Sequence, residues 1–252
     1  MTGQKRVALV TGGGSGIGKA CAFALCADGF EVVLAGRRQA VLEDAVEEAA
    51  SMGFASRAIA ADVCDGTSVK ELFAKIAQVY GRLDLLFNNA GVNVGVQELE
   101  EISYEDWASV LATNLTGTFL CTQQAFRLMK ARQPQGGRVI NNGSISAHAP
   151  RPGAAPYTAA KHGVTGLTRA AALEGRPYNI AVGQIDIGNA ATELSAPVAA
   201  AARQADGSTR PEPQMDVADV ARAVAYMAGL PLGANVLFLT IMATGMPFVG
   251  RG

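Results

Sequence analysis

The sequence predicts an α/β fold: a single doubly wound domain over residues 1–252, with a seven-stranded, mostly parallel sheet and helices on both faces. Three observations predict it. Short apolar runs alternate with helical patterns in units of roughly thirty to forty residues, the signature of repeated βαβ crossovers. A glycine-rich turn follows the first apolar run directly. The composition, 49% hydrophobic and 17% charged, suits a sheet buried on both sides. A chain of 252 residues is long enough to bury such a core, and no linker divides it.

The elements follow in order. Residues 7–10 (Val-Ala-Leu-Val) form a buried strand, residues 11–18 (Thr-Gly-Gly-Gly-Ser-Gly-Ile-Gly) a turn, and residues 19–25 open a helix. A second strand spans 31–35, then a helix over 39–52 carries an Ala/Val/Leu stripe with Glu on its wet face. Strand three covers 55–60, with a helix over about 67–80. Strand four covers 84–87 and precedes a long helix over about 104–131. Strand five covers 138–142 and precedes a helix that runs to Gly175. Strand six covers 179–185. Residues 190–204 are Ala-rich and read as helical. Asp216 caps a helix to about Gly229, and residues 235–242 (Asn-Val-Leu-Phe-Leu-Thr-Ile-Met) form the last strand.

Strand, glycine turn and helix start are the context of a dinucleotide site. Glycine lets backbone N–H groups approach a pyrophosphate, and the helix N-terminus adds unpaired donors and a positive dipole end.

Tyr157 and Lys161 stand four residues apart in Pro-Tyr-Thr-Ala-Ala-Lys-His-Gly. On a helix that spacing places both on one face. A free phenol is a poor acid or base at neutral pH, and an adjacent ammonium favours its anion. The pair suits proton transfer in a carbonyl/alcohol interconversion.

Taken together these residues resemble the short-chain dehydrogenase/reductase family over nearly the whole chain. Thr11 to Gly18 match its TGxxxGxG turn, and Asn88-Asn89-Ala90-Gly91 its NNAG motif. Asp62-Val63 resemble the pair that meets the adenine ring. Asn114 matches the catalytic-site Asn, which holds a water near the Lys. Ser144, thirteen residues before Tyr157, falls where the family's substrate-binding serine stands.

The resemblance implies a Rossmann-type fold and an NAD(P)(H)-dependent oxidoreductase acting on a small-molecule carbonyl or alcohol. Asn114, Ser144, Tyr157 and Lys161 would be catalytic. Gly12, Ser15, Gly16, Ile17, Gly18, Asp62, Val63, Asn89, Ala90, Gly91, Tyr157 and Lys161 would bind the cofactor, with Ile187 and Thr192 at the carboxamide. A non-catalytic cofactor-binding regulator and a structural oligomer on the same fold are the alternatives.

Two departures stand out. The family's Pro-Gly after strand six falls at about Ile185 and Asp186, so Asp186 brings a carboxylate to the reaction centre or else caps the helix from Ala190. The C-terminus, residues 246–252 (Met-Pro-Phe-Val-Gly-Arg-Gly), lacks the family's glycine-rich strand end.

At the end of strand two an acidic residue would favour NAD(H). This chain has Ala35-Gly36-Arg37-Arg38 instead. Arg37 and Arg38 offer guanidinium forks for a phosphate, favouring NADP(H) over NAD(H), or are solvent-facing charges before a helix.

A net charge of −1 without blocks of like charge argues against nucleic-acid binding. Cys21, Cys26, Cys64 and Cys121 show no metal or redox spacing, so no metal is expected and a reducing compartment, the cytoplasm, is. Only four apolar residues, 7–10, precede the glycine turn, too few for the apolar stretch of a secretory signal, so none is expected. Residues 223–250 lack charge, but Gly229, Pro231, Gly233, Asn235, Gly245 and Pro247 break the stretch, so no membrane span is expected. Small residues at Ala159, Gly163 and Gly166 and the uncharged tail from Pro231 suit a homotetramer or homodimer. The alternative is that the tail only completes the chain's own sheet. The segment from Thr192 to Pro213 would form a substrate lid. Its composition names no substrate among sugars, steroids, acyl compounds and small aromatic alcohols.

Overall fold

The computed structural model describes residues 5–192, 195 and 199–249. Seven strands form one parallel sheet: β1 (Arg6–Thr11), β2 (Phe30–Gly36), β3 (Ser56–Ala60), β4 (Leu85–Asn88), β5 (Gly137–Asn142), β6 (Ile180–Ile187) and, last in the chain, β9 (Phe238–Ile241). Their order is β3-β2-β1-β4-β5-β6-β9. A two-stranded hairpin, β7 (Ala202–Arg203) and β8 (Thr209–Arg210), stands apart from the sheet.

The strands are buried on both sides because their side chains alternate between two apolar layers. Ala8 and Val10 point into one cluster, packed against α1 (Gly16–Ala27), α2 (Gln39–Ser51) and α7 (Val217–Gly229). Val7 and Leu9 point into the other, against α3 (Gly66–Tyr80), α5 (Gly117–Ala131) and α6 (Ala155–Gly175). Cys21, Cys26 and Cys121 lie in these layers as small hydrophobes, and burial pushes Cys26 up to about 11 and Cys121 to about 12.

Local chemistry starts and stops the helices. Asp65 caps α3 by accepting from Thr67 N at 2.9 Å and Ser68 N at 3.2 Å, and Gly81 ends it in the left-handed conformation. Ser103 caps α4 (Tyr104–Leu111) and Asp216 caps α7. Arg138, buried at the start of β5, donates to the carbonyls of Leu230, Pro231 and Ala234, so it ties the end of α7 to the sheet.

Two expectations need correction. The helix expected over 104–131 is interrupted by a π-helical segment, Ala112–Thr116, between α4 and α5. Its residue Asn114 bonds Val92, 22 residues away, through both side-chain atoms, a tie that periodicity does not encode. The helix expected over 190–204 is not continuous: Ala190 forms a parallel bridge with Met215, and Ala202–Arg203 is a hairpin strand. Residues 193–194 and 196–198 of that expectation lie outside the described residues.

The chain order reverses at β1 and β4, which are neighbours although their connections run in opposite directions across the sheet. A crevice opens outside the carboxyl ends of the strands at such a switch point, and that is where ligands bind in this architecture. Among the described residues no helix is long and apolar enough to cross a membrane.

Candidate active site

The turn after β1 needs glycine for space as well as for backbone freedom. A Cβ on Gly18 would lie 2.1 Å from Gly12 O and 2.5 Å from Asn89 Nδ2, and Gly12 holds φ +63°. Ser15, the residue before α1, makes no side-chain capping bond, so the helix's first N–H groups keep no cap from their own chain there. With Ile17 half-buried behind them, Gly16 and its neighbours present donors and a positive dipole end to the crevice.

The segment after β4 locks onto this turn. Thr11 Oγ1 accepts from Asn89 N at 2.9 Å and Ala90 N at 3.0 Å, and Asn89 Nδ2 donates to Thr11 O at 3.0 Å. Gly91 packs on Asn114, whose Oδ1 accepts from Val92 N at 2.8 Å and whose Nδ2 donates to Val92 O at 2.9 Å. The Asn114 side chain is therefore occupied in holding the loop after β4.

Tyr157 and Lys161 lie one turn apart on α6, with Lys161 Nζ 5.4 Å from the centre of the Tyr157 ring. Lys161 is buried and donates to Asn142 O at 2.7 Å. Asn142 Nδ2 in turn donates to Asn89 Oδ1 at 3.0 Å, which connects the lysine to the glycine turn. Ser144, buried at the exit of β5, accepts from Ser146 N through Oγ at 3.1 Å and so opens a short 3-10 turn. With that acceptor role filled, its hydroxyl proton is free to donate.

Asp186 resolves one of the open readings. It lies inside β6, paired with Thr240 of β9, and caps no helix. The strand runs two residues past the expected end because no proline stands there to remove a backbone donor. Asp186 Oδ1 accepts from Ser144 N at 3.0 Å and from Gln184 Nε2 at 2.6 Å, and Oδ2 meets His148 Nε2 at 2.8 Å. Ile187 is buried beside it, and Thr192 comes within 3.4 Å of the position a Cβ would take on Gly16. Thr192 thus stands over the glycine turn although the two are far apart in the chain.

At the far end of the crevice Arg37 and Arg38 are exposed just past β2. Asp62 is anchored by Ser68 Oγ and accepts from Cys64 N at 2.9 Å, with Val63 buried between them. Burial pushes the Cys64 thiol up, and Asp62 adds to the rise, while a hydrogen bond with Thr113 and the field of Arg37 oppose it. No carboxylate directly follows β2 to repel a phosphate.

A cavity of about 50 Å³ adjoins Tyr157, walled by Asn93, Val96, Ser146, Pro152 and Arg203 among others. Asn93 Oδ1 is buried at that wall without a partner. The β7–β8 hairpin reaches across through Arg203, which pairs with Glu98 at 2.6 Å. Below it Arg151 pairs with Glu212, and Asn189 Nδ2 donates to the same carboxylate at 2.9 Å. Asn93, Asn142, His148, Arg151 and Arg203 were not foreseen from the sequence. His148 and Asp186 are 38 residues apart, so no local spacing links them.

Comparison with known proteins agrees with this fold. A family model described as short chain dehydrogenase matches residues 6–203. A 3-oxoacyl-[acyl-carrier-protein] reductase of Synechocystis sp. is 38% identical over 191 residues, covering 75% of this chain and 76% of that protein. A 3beta-hydroxysteroid dehydrogenase of Mediterraneibacter gnavus is 39% identical over 174 residues, 68% of this chain and 61% of that protein. The match therefore spans less than two thirds of the steroid enzyme's length. Among solved structures, a single-residue variant of actinorhodin polyketide ketoreductase with NADPH superposes with a TM-score of 0.85 at 30% identity, covering 96% of this chain and 97% of that one.

Proposed function

The chain belongs to the short-chain dehydrogenase/reductase family, and on that footing we propose that it interconverts a carbonyl and a secondary alcohol with NADP(H). When bound, the nicotinamide nucleotide supplies or accepts the hydride. Tyr157 donates a proton to the carbonyl oxygen in reduction and takes it back in oxidation. Lys161 stands beside the phenol, where a cationic side chain favours the phenolate, and would hold the nicotinamide ribose. Ser144 donates its hydroxyl to the same carbonyl oxygen, where negative charge develops. The substrate enters the cavity beside Tyr157, with the β7–β8 hairpin as its cover.

The observation that carries this reading is the placement of Lys161: buried, 5.4 Å from the Tyr157 ring, and tied through Asn142 to the glycine turn. A structural lysine has no reason to be buried against a phenol at the open end of the sheet. The residues also fit the nucleotide, since the uncapped start of α1 suits a pyrophosphate and Arg37 with Arg38 suits a 2′-phosphate. The test is the absorbance of reduced cofactor, followed with NADPH and with NADH across panels of ketones. Turnover of a ketone with NADPH is expected. Tight NADPH binding with no turnover on any ketone or alcohol would leave a cofactor-binding regulator in place of an enzyme.

A further inference from the structure

We infer that Asp186, braced by His148, is a positioning residue that sets the Ser144 hydroxyl for the carbonyl oxygen. The inference rests on the reading of Ser144 given above. Asp186 is fully buried, which for a carboxylate demands that its oxygens be satisfied. Its partners supply this: Ser144 N–H and the Gln184 amide on Oδ1, the His148 ring on Oδ2.

The carboxylate reaches Ser144 only because residue 143 is glycine. A Cβ there would lie 2.1 Å from Asp186 Oδ1 and 2.6 Å from Gln184 Nε2. Gly143 N also donates to Ile185 O at 2.8 Å, so two consecutive main-chain N–H groups of the Ser144 loop are held by β6. The loop is thus fixed by strand β6, a rigid element, through a charge-assisted bond.

Asp186 is itself the end of a buried polar chain. Gln184 Nε2 donates to Thr165 Oγ1 at 2.9 Å, and Gln184 Oε1 accepts from Thr168 Oγ1 at 3.0 Å. Asn141 Nδ2 donates to Thr168 Oγ1 at 2.9 Å, and Asn88 Nδ2 to Asn141 Oδ1 at 2.9 Å. This chain joins α6, β6, β5 and β4 behind the site, so Asp186 cannot swing away from Ser144 without breaking it. His148 closes the outer side. It belongs to the loop that Ser144 opens, its main-chain N–H donates to Ile145 O, and its ring rests edge-on against Phe248. One carboxylate therefore grips both ends of the loop from Ser144 to His148.

A cycle of variants with Ser144→Ala tests this with any ketone that the enzyme reduces. Asp186→Ala is expected to lower kcat about 10²-fold, the scale of a misplaced catalytic group, with NADPH affinity unchanged. Asp186→Asn, which keeps an acceptor for Ser144 N–H, should restore most of the rate. In the Ser144→Ala background Asp186→Ala should have no further effect, because its action passes through Ser144. His148→Ala gives a smaller loss that also vanishes in that background, and it serves where Asp186→Ala does not fold. Additive losses in the Ser144→Ala background would overturn the positioning role and leave Ser144 itself intact. Ser144→Ala with undiminished kcat would instead overturn the reading of Ser144, and this inference with it.

Discussion

Lys161 donates to the main-chain carbonyl of Asn142 across 2.7 Å, so the end of β5 holds the ammonium that faces Tyr157. The same residue, Asn142, bonds Asn89 beside the glycine turn. Position of the charge and shape of the cofactor crevice are therefore coupled. Replacing Lys161 with Met, which keeps most of the volume, should weaken NADPH binding and lower kcat together, the latter by about 10²-fold or more. Cofactor titration and steady-state kinetics check this. A change in one parameter without the other contradicts the coupling.

Cofactor choice is predicted to depend on Arg37. Arg37→Asp places a carboxylate where a 2′-phosphate would lie and removes a charge-assisted contact of about 1.5–3 kcal/mol. The ratio of affinities for NADPH and NADH should shift at least about tenfold toward NADH. Equal binding of the two cofactors by the unmodified protein would already contradict this reading.

Asp84 should govern acid stability. Burial works to raise its pKa, but hydrogen bonds from Arg82, Arg132 and Val7 N–H outweigh it and hold the carboxyl below its ordinary value. A carboxyl depressed in the folded state stabilises fully above its unfolded value of ~3.9, and loses that contribution as pH falls through the folded one. Asp84→Asn should cost about 1–3 kcal/mol at neutral pH and flatten the fall in stability below pH ~4. Urea melts at several pH values measure both. An equal slope in the variant would show that another group governs the acid limb.

Much of the architecture was legible because the hydrophobic pattern and the punctuating glycines agree. β2, β3 and β5 fall within a residue or two of the expected spans. Asn89, Lys161 and Tyr157 are linked to the glycine turn through Asn142 and α6, and Ser144 follows the end of β5. What the sequence hid depends on contacts distant along the chain. The π segment at Asn114 follows from its grip on Val92. Asp186 could be read as a cap or as part of the site until β6 placed it against Ser144 and His148. Gly163 looked like a surface for another helix, yet a Cβ there would meet Leu115 of the same chain at 2.7 Å, while Gly166 faces open space.

Association is expected along the last strand. Phe238, Leu239 and Ile241 of β9 are only half-buried, with Leu237 42% exposed beside them and Val249 85% exposed in the tail. β9 is the edge of the sheet, and an apolar edge left open invites a partner. A homodimer or homotetramer that covers this edge is the predicted solution state. Light scattering at micromolar concentration checks it, and a mass near the 26.0 kDa of one chain would contradict it.

The most direct test of the central claim is the turnover of Tyr157→Phe beside the unmodified enzyme, with NADPH and a ketone that the latter reduces. Loss of the phenol proton should lower kcat by about 10²-fold or more, while NADPH binds with nearly unchanged affinity because Lys161 and the glycine turn are untouched. Turnover close to that of the unmodified enzyme would mean that Tyr157 is not the proton donor.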